Sequence, residues 1–320
     1  VNVLVPLPEV ALVPVGEVEI AGSPWRRRLS VFAEPYLYIA PALAFIAVWI
    51  YRPLIETFDY SFYNWDLLAT NPKLNVGWKN YTTLFHLHAL WQAVGTSGFF
   101  IVGLLIFGLG LPLLIGVLTE NVSPRSRATY RALVFLPVLV SPVVTATIWE
   151  FLLAPAGGAI DTILGWFGFD QTNWLQQPNT ARYAIVAISG WKVLGVSVLI
   201  VTAGLAAIST EYYEAAAIDG AKRFQVFRKI TLPLLSPTLL FMFITAVLLS
   251  SQVIFPLLNV LTQGGPTGST TDIYYFLYSY GFTSFNVGLA SAAAVCFFLV
   301  FGAVAVVCVR LLERYSFYDN

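Results

Sequence analysis

The residues of this chain that could do chemistry are few, and their types suit recognition and passage better than bond making. His86 and His88 form an H-x-H pair in a polar stretch. Two isolated ligands are a weak metal signal, because a metal site is built from three or four. Cys296 and Cys308 both lie in the last apolar run, which argues against a disulfide framework or a metal site. No G-x-x-x-x-G-K followed by Ser or Thr occurs, so the chain offers no backbone cradle for ATP phosphates. G-x-S-x-G, H-E-x-x-H and paired-Cys spacings are absent too. The expectation is a chain without a catalytic site, a metal or a cofactor of its own.

What remains is a set of polar side chains embedded in apolar sequence. Thr245, Gln252 and Asn259 recur every seven residues, which sets them in one stripe along a helix face, flanked by Ser250 and Ser251. Ser189 and Lys192 share a face at i and i+3, and Gly195 permits close approach. Polar residues inside a membrane span are functional candidates by default. A solute path through Lys192, Gly195, Thr245, Ser250, Gln252 and Asn259 is one reading. Hydrogen bonding between helices is the other. Lys192 has its own pair of readings. Its ammonium either snorkels toward water or pairs with Glu150, or it faces a cavity and attracts a polar or anionic solute. For Glu150, headgroup contact is the simpler account.

These residues must be carried by membrane helices. Of the 320 residues, 58% are hydrophobic and 11% charged, against about 25% charged in a soluble domain. A single soluble core cannot absorb that excess. The zero net charge excludes nucleic acid as an evident partner and leaves membrane lipid as the surrounding medium. Six apolar stretches meet the length needed to span, roughly 32–51, 95–118, 132–153, 181–207, 237–259 and 287–311. In lipid the backbone must satisfy itself, so they are read as helices.

Basic residues set the orientation. Arg26, Arg27, Arg28, Arg125, Arg127, Arg131, Lys222, Arg223, Arg228, Lys229, Arg310 and Arg314 place 12 of the 17 Lys and Arg on one side. Arg52, Lys73, Lys79 and Arg182 fall on the other, and the rich side is cytoplasmic. Both termini are then cytoplasmic, with a tail at 1–31, a permease domain at 32–311 and a tail at 312–320. The outer segments 52–94 and 154–180 mix aromatics with Gly, Asn and Pro. They suit interface anchoring or a docking surface for a soluble partner.

The segment Ser209–Pro237 is long for a connector and reads as two short helices. Thr210 caps the first, Ala215, Ala216 and Ala217 favour it, and Gly220 turns the chain. The second sets Phe224, Phe227 and Ile230 on one face and ends at Pro233. Glu214 and Asp219 offer charged acceptors. The loop either docks a partner protein or lies on headgroups as an amphipathic hairpin.

EAAAIDGA, followed by Phe227, Ile230, Leu232, Pro233 and Pro237, resembles the EAA loop of binding-protein-dependent ABC importer permeases. Glu214, Ala215, Ala216, Asp219 and Gly220 match its motif. LTQGGPTGSTTDIYYFLYSYGF at Leu261–Phe282, SFYNWDLL and GWKNYTTLF look like the carbohydrate branch, with the maltose, multiple-sugar and glycerol-3-phosphate permeases and a lean to the last. The resemblance implies an all-α integral membrane protein, a type I ABC importer permease of six transmembrane helices, in a bacterial inner membrane. Its loop at 209–237 would seat a coupling helix in an ATPase subunit. A second permease in a heterodimer, two ATP-binding subunits holding ATP and Mg, and an external substrate-binding protein are the implied partners. ATP-driven closure would swing the cavity from inward to outward. A secondary transporter is the alternative; it would require internal repeats and intramembrane charges for ion coupling.

The basic-residue asymmetry generates a topology test. Single cysteines at Ser126 and Lys222 should resist an impermeant thiol reagent in intact cells, and one at Gly268 should react. External labelling at Lys222 would reverse the orientation.

Overall fold

The computed structural model describes residues 36–68, 70–119, 122–155 and 157–315. The expected tail at 1–31, the start of the first span at 32–35 and residues 316–320 of the expected C-terminal tail lie outside the described residues. The chain divides into two compact units, residues 1–55 and 56–320.

Helix α1 (Tyr36–Tyr60) opens the described chain. It was expected to end near residue 51 but runs on to Tyr60, so Arg52 sits in a helix and not in an outer loop. Its side chains at 36–55 are exposed and largely apolar, as contact with lipid requires. A hairpin of β1 (Tyr63–Asn64) and β2 (Leu74–Asn75) follows, with Tyr63 opposite Asn75. Then come α2 (Lys79–His86), α3 (His88–Leu118), α4 (Pro124–Leu139), α5 (Pro142–Leu152) and α6 (Ala159–Trp166). The chain closes with α7 (Pro178–Ala206), α8 (Thr210–Ile218), α9 (Arg223–Leu261), α10 (Ile273–Tyr278) and α11 (Val287–Tyr315).

Three long helices carry prolines near wide π-turns. The turns are Ala47–Tyr51, Ile106–Gly110 and Phe227–Thr231, each ending two residues before Pro53, Pro112 and Pro233 respectively. In each, the residue before proline bonds back five positions: Arg52 to Ala47, Leu111 to Ile106 and Leu232 to Phe227. A proline ring clashes with the carbonyl four residues back, and it offers no N–H to that carbonyl. The wider turn moves that carbonyl aside. Pro233 therefore does not end a helix, as expected from sequence; it sits inside α9, which runs unbroken from the loop into the membrane.

The third expected span, 132–153, is two helices. Pro137 lies in α4, Pro142 starts α5, and the pair bends by 96° at Val140–Ser141. The residue before a proline is pushed out of the α region, and Ser141 takes ψ 140°. Five single helices are long and apolar enough to cross a membrane, and this bent pair makes up a sixth span.

Helices α7 and α9 form the centre, and α3, α4, α5 and α11 pack around them. One cluster joins Phe100 and Leu104 to Ile185, Val186, Ile254 and Leu258. A second joins Ala146 and Leu153 to Ile188, Leu257 and Leu261. Lipid is as apolar as leucine, so close packing and not the hydrophobic effect holds such clusters together.

The outer segments are tied down by hydrogen bonds. Asn80 donates from Nδ2 to the carbonyls of Ser61 at 2.8 Å and Tyr63 at 2.9 Å. The Lys73 ammonium sits 4.1 Å from the Tyr60 ring centre and 4.6 Å from that of Trp65. The stretch after α9 folds back onto α3 and α7. Arg182 Nε donates to Ser269 O at 2.6 Å, Gln92 Nε2 to Thr267 O at 3.1 Å, and Ile273 N to Ser97 Oγ at 3.0 Å.

Asp272 caps α10 through Oδ1, which accepts the Tyr275 amide at 2.8 Å. The residue is fully buried, and Oδ2 has no hydrogen-bond partner among the described residues. Burial pushes its carboxyl up from 3.8 to about 6, against the Tyr275 amide and the Ser251 hydroxyl, which favour the charged form. The folded protein thus holds a proton that the unfolded chain gives up. This contribution to stability is full below about pH 4 and is lost as pH rises through about 6. Asp272→Asn keeps the cap acceptor and removes the charge. Tm of the solubilised complex should fall less between pH 4 and pH 7 in this variant than in wild type. An identical profile would exclude Asp272 as the titrating group.

Candidate functional site

The expected coupling residues sit on α8 and its stop. Ser209 caps α8 by accepting the Glu211 amide at 3.3 Å, so the cap lies one residue before Thr210. At the far end Gly220 N donates to Ala217 O at 3.1 Å and Ala221 N to Ala216 O at 3.0 Å. That pair of bonds is a Schellman stop, and it needs the left-handed backbone that Gly220 adopts at φ +70°. Ala216 is buried; Glu214, Ala215 and Asp219 are exposed. Ala215, Ala216, Asp219 and Gly220 line an open groove of about 920 Å³ between α8 and the start of α9, with Glu214 outside it.

Sequence reading missed the most exposed apolar residue of the loop. Ile218 is 87% exposed and Phe224 is 71% exposed, one on each side of the Gly220 turn. Phe224 was expected to share a face with Phe227 and Ile230, yet only those two are half-buried. Phe224 lies in the first turn of α9, next to the Gly220 stop, where no other element among the described residues covers it. Apolar side chains presented singly are ordinary. Here two stand exposed together, on either side of the Gly220 stop.

The expected path residues fall into two groups. Thr245 and Ser250 of α9 line a cavity of about 130 Å³ with Ser197 of α7 and a wall of valine, leucine and phenylalanine. Their hydroxyls donate backwards along the helix, Thr245 to Phe241 O at 2.8 Å and Ser250 to Val247 O at 3.1 Å. Gln252 is exposed and Asn259 half-buried, both outside this cavity. Ser197 is buried and is the polar cavity residue that spacing did not single out.

Lys192 and Gly195 face the other way, toward α4. A Cβ at Gly195 would lie 2.5 Å from Val134 O, so glycine lets α7 meet the α4 backbone. Lys192 is 8% exposed. Its Nζ donates to Val140 O at 2.6 Å, Pro137 O at 3.0 Å and Thr145 Oγ1 at 3.3 Å. The expected partner, Glu150, is instead exposed beside an outer opening lined by Gln176 and Thr262. A helix end leaves carbonyls short of intrahelical partners, and the ammonium reaches two at the break: Val140 O, and Pro137 O, which also accepts the Val140 amide at 3.4 Å. Thr145 completes the geometry, because its own hydroxyl hydrogen goes to Ser141 O at 3.0 Å. An ammonium has three donors, and all are engaged here.

Residues 113–316 match the family described as binding-protein-dependent transport system inner membrane component. The chain is 34% identical over 283 residues to the sn-glycerol-3-phosphate transport system permease protein UgpA of Escherichia coli, covering 87% of this chain and 94% of the relative. It is also 34% identical over 268 residues to the trehalose/maltose transport system permease protein MalF of Thermococcus litoralis, covering 83% and 88% respectively. In fold it is similar to a chain of a bacterial ABC transporter involved in the import of the acidic polysaccharide alginate. That likeness has a TM-score of 0.81 at 23% identity and covers 92% of this chain and 100% of the other. A chain of the MetNI methionine ABC transporter matches at a TM-score of 0.51 and 17% identity, over 75% of this chain and 99% of that one.

The clamp at the break generates a prediction. Lys192→Met strands Val140 O and leaves Pro137 O only the long bond from Val140 N at 3.4 Å, at about 1–3 kcal/mol for a buried unsatisfied group. Tm of the complex should drop, and uptake should fall by the same factor for anionic and neutral solutes. A loss confined to anionic solutes would show that the ammonium meets the solute instead.

Proposed function

This chain belongs to the family of binding-protein-dependent transport system inner membrane components, and on that premise we propose that it forms half of a solute path driven by ATPase subunits docked on loop 209–237. As a permease subunit of an ABC importer it is not itself an enzyme, and ATP hydrolysis belongs to a separate subunit. The observation that carries the docking reading is the tip of the loop. Ile218 and Phe224 stand exposed on either side of a Schellman stop, beside a groove lined by Ala215, Ala216 and Asp219. Exposed apolar side chains on a preorganised helix end favour a protein partner. Glu214, outside the groove, supplies a charge at the rim of that contact. The loop lies on the cytoplasmic side in this reading, with ATP and Mg held by two partner subunits.

The solute is a sugar or a glycerol-3-phosphate-like molecule, the range spanned by the names of the relatives. It would pass along α9, where Thr245, Ser250, Gln252 and Asn259 offer hydrogen bonds. Lys192 and Gly195 serve the path by shaping the break in the third span. A second, similar permease would supply the other wall, and an external binding protein would deliver the solute. The family to which the chain belongs argues against a secondary transporter.

Gly220→Val forces a β-branched residue into the left-handed region, at roughly 1–3 kcal/mol. Glu214→Lys reverses a charge, and Ile218→Glu places a charge in the contact. Each should lower uptake and ATPase stimulation several-fold while capture by the external binding protein stays intact. Normal transport in all three, in a complex of verified assembly, would remove the loop from coupling. Uptake of labelled glycerol-3-phosphate against maltose and trehalose in proteoliposomes identifies the solute.

A further inference from the structure

The outer opening beside Glu150 has a volume of about 790 Å³, inside the range of about 300–1,000 Å³ that small-molecule sites occupy. Thr147, Glu150 and Phe151 line it from one face of α5, at i, i+3 and i+4. Gln176, just before α7, and Thr262, just past α9, line it too. Helix α7 runs from this end of the bundle to the loop that carries α8, so the opening and that loop lie at opposite ends. The two hydroxyls are engaged. Thr147 Oγ1 donates to Val143 O at 3.2 Å, and Thr262 Oγ1 lies 2.8 Å from Thr270 Oγ1. The side chains of Glu150 and Gln176 are exposed and have no hydrogen-bond partner among the described residues. Among the described residues that line the opening, Glu150 alone carries a charge, and no Lys, Arg or His is present. Lys192 cannot make up for that, because all three of its donors are engaged at the break.

A carboxylate accepts hydrogen bonds and donates none. It is matched by a solute that donates, and sugar hydroxyls do so. A phosphate group brings acceptor oxygens and a charge of about −1.5 to −2 near pH 7, and like charges repel most where water is scarce. The Gln176 amide both donates and accepts. The exposed Phe151 ring offers an apolar face to the C–H side of a sugar ring. We propose that this opening is an entry site for a neutral polyhydroxyl solute, held at Glu150 and Gln176, and that Glu150 turns phosphate-bearing solutes away. Specificity comes from repelling the wrong ligand as well as from holding the right one. As the door to a path, the site rests on the importer reading above, and it narrows the solute to the uncharged class.

The complete importer carries Thr262→Cys in a chain with Cys296→Ala and Cys308→Ala. In nanodiscs without ATP it is treated with hydroxyethyl, trimethylammonioethyl or sulfonatoethyl methanethiosulfonate, which are neutral, cationic and anionic. Each rate is divided by that of a free thiol. The neutral and cationic reagents should react several-fold faster than the anionic one. Glu150→Gln should raise the anionic rate several-fold, and Glu150→Lys should raise it further. Maltose or trehalose should slow modification by the neutral reagent, whereas glycerol-3-phosphate should do so only once Glu150 is replaced. An anionic rate unchanged in Glu150→Gln overturns the proposal. So does protection by glycerol-3-phosphate equal to that by the sugars while Glu150 is in place, or no protection by either sugar. If Thr262→Cys does not assemble, Thr147→Cys on the exposed face of α5 gives the same readout. ATP-driven uptake is measured separately. Its absence in a sample with protection intact counts against the importer reading and not against the site.

Discussion

Backbone carbonyls at membrane depth have no water to bond, and a break in a spanning helix must therefore find its acceptors a donor within the protein. The break between Leu139 and Pro142 finds one in the Lys192 ammonium, which reaches Pro137 O, Val140 O and Thr145 Oγ1 from the neighbouring helix. Much of the bundle follows from this contact. It sets where α5 leaves α4, and α5 carries Ala146 into the cluster with Ile188 and Leu257. It also holds α7 against α4, where Gly195 meets the backbone at Val134. The charge itself is favoured there, because carbonyls at a helix C-terminal end carry partial negative charge.

The prolines of the other spans are handled without a donor from outside. At Pro53, Pro112 and Pro233 a widened turn shifts the offending carbonyl, and the helix continues. Two neighbouring prolines, Pro137 and Pro142, proved too much for that solution, since the residue before Pro142 leaves the α region altogether. At Pro233 the consequence reaches the loop. Because α9 is continuous from Arg223 to Leu261, the loop at Gly220 leads directly into a spanning helix.

The connecting segments obey a similar rule of backbone satisfaction. Asn80 bonds the carbonyls of Ser61 and Tyr63, earlier in the same connecting segment. Arg182, Gln92 and Ser97 hold the glycine-rich stretch after α9. Segments that look like separate loops in sequence are thus one layer built on α3 and α7.

Sequence alone determined the helical class, the approximate place of each apolar run and the special character of Ser209–Pro237, because these rest on local quantities. Apolar length, helical period and the backbone preferences of Gly and Pro are all readable residue by residue. The Gly220 stop is one such case: its left-handed φ is a property of the residue type. Tertiary structure decided what each polar group bonds to. Lys192 reads as an intramembrane cation, but its acceptors lie 47 to 55 positions away, on the two helices of the broken span and the break between them. Asp272 carries no signal in the sequence, and only folding buries it at the cap of α10. Phe224 reads as one face with Phe227 and Ile230, yet at the start of α9 the fold leaves it exposed while those two are half-buried. The division has one physical reason. Propensity and hydropathy belong to the chain, whereas desolvation and hydrogen-bond partnership belong to whatever the fold brings alongside.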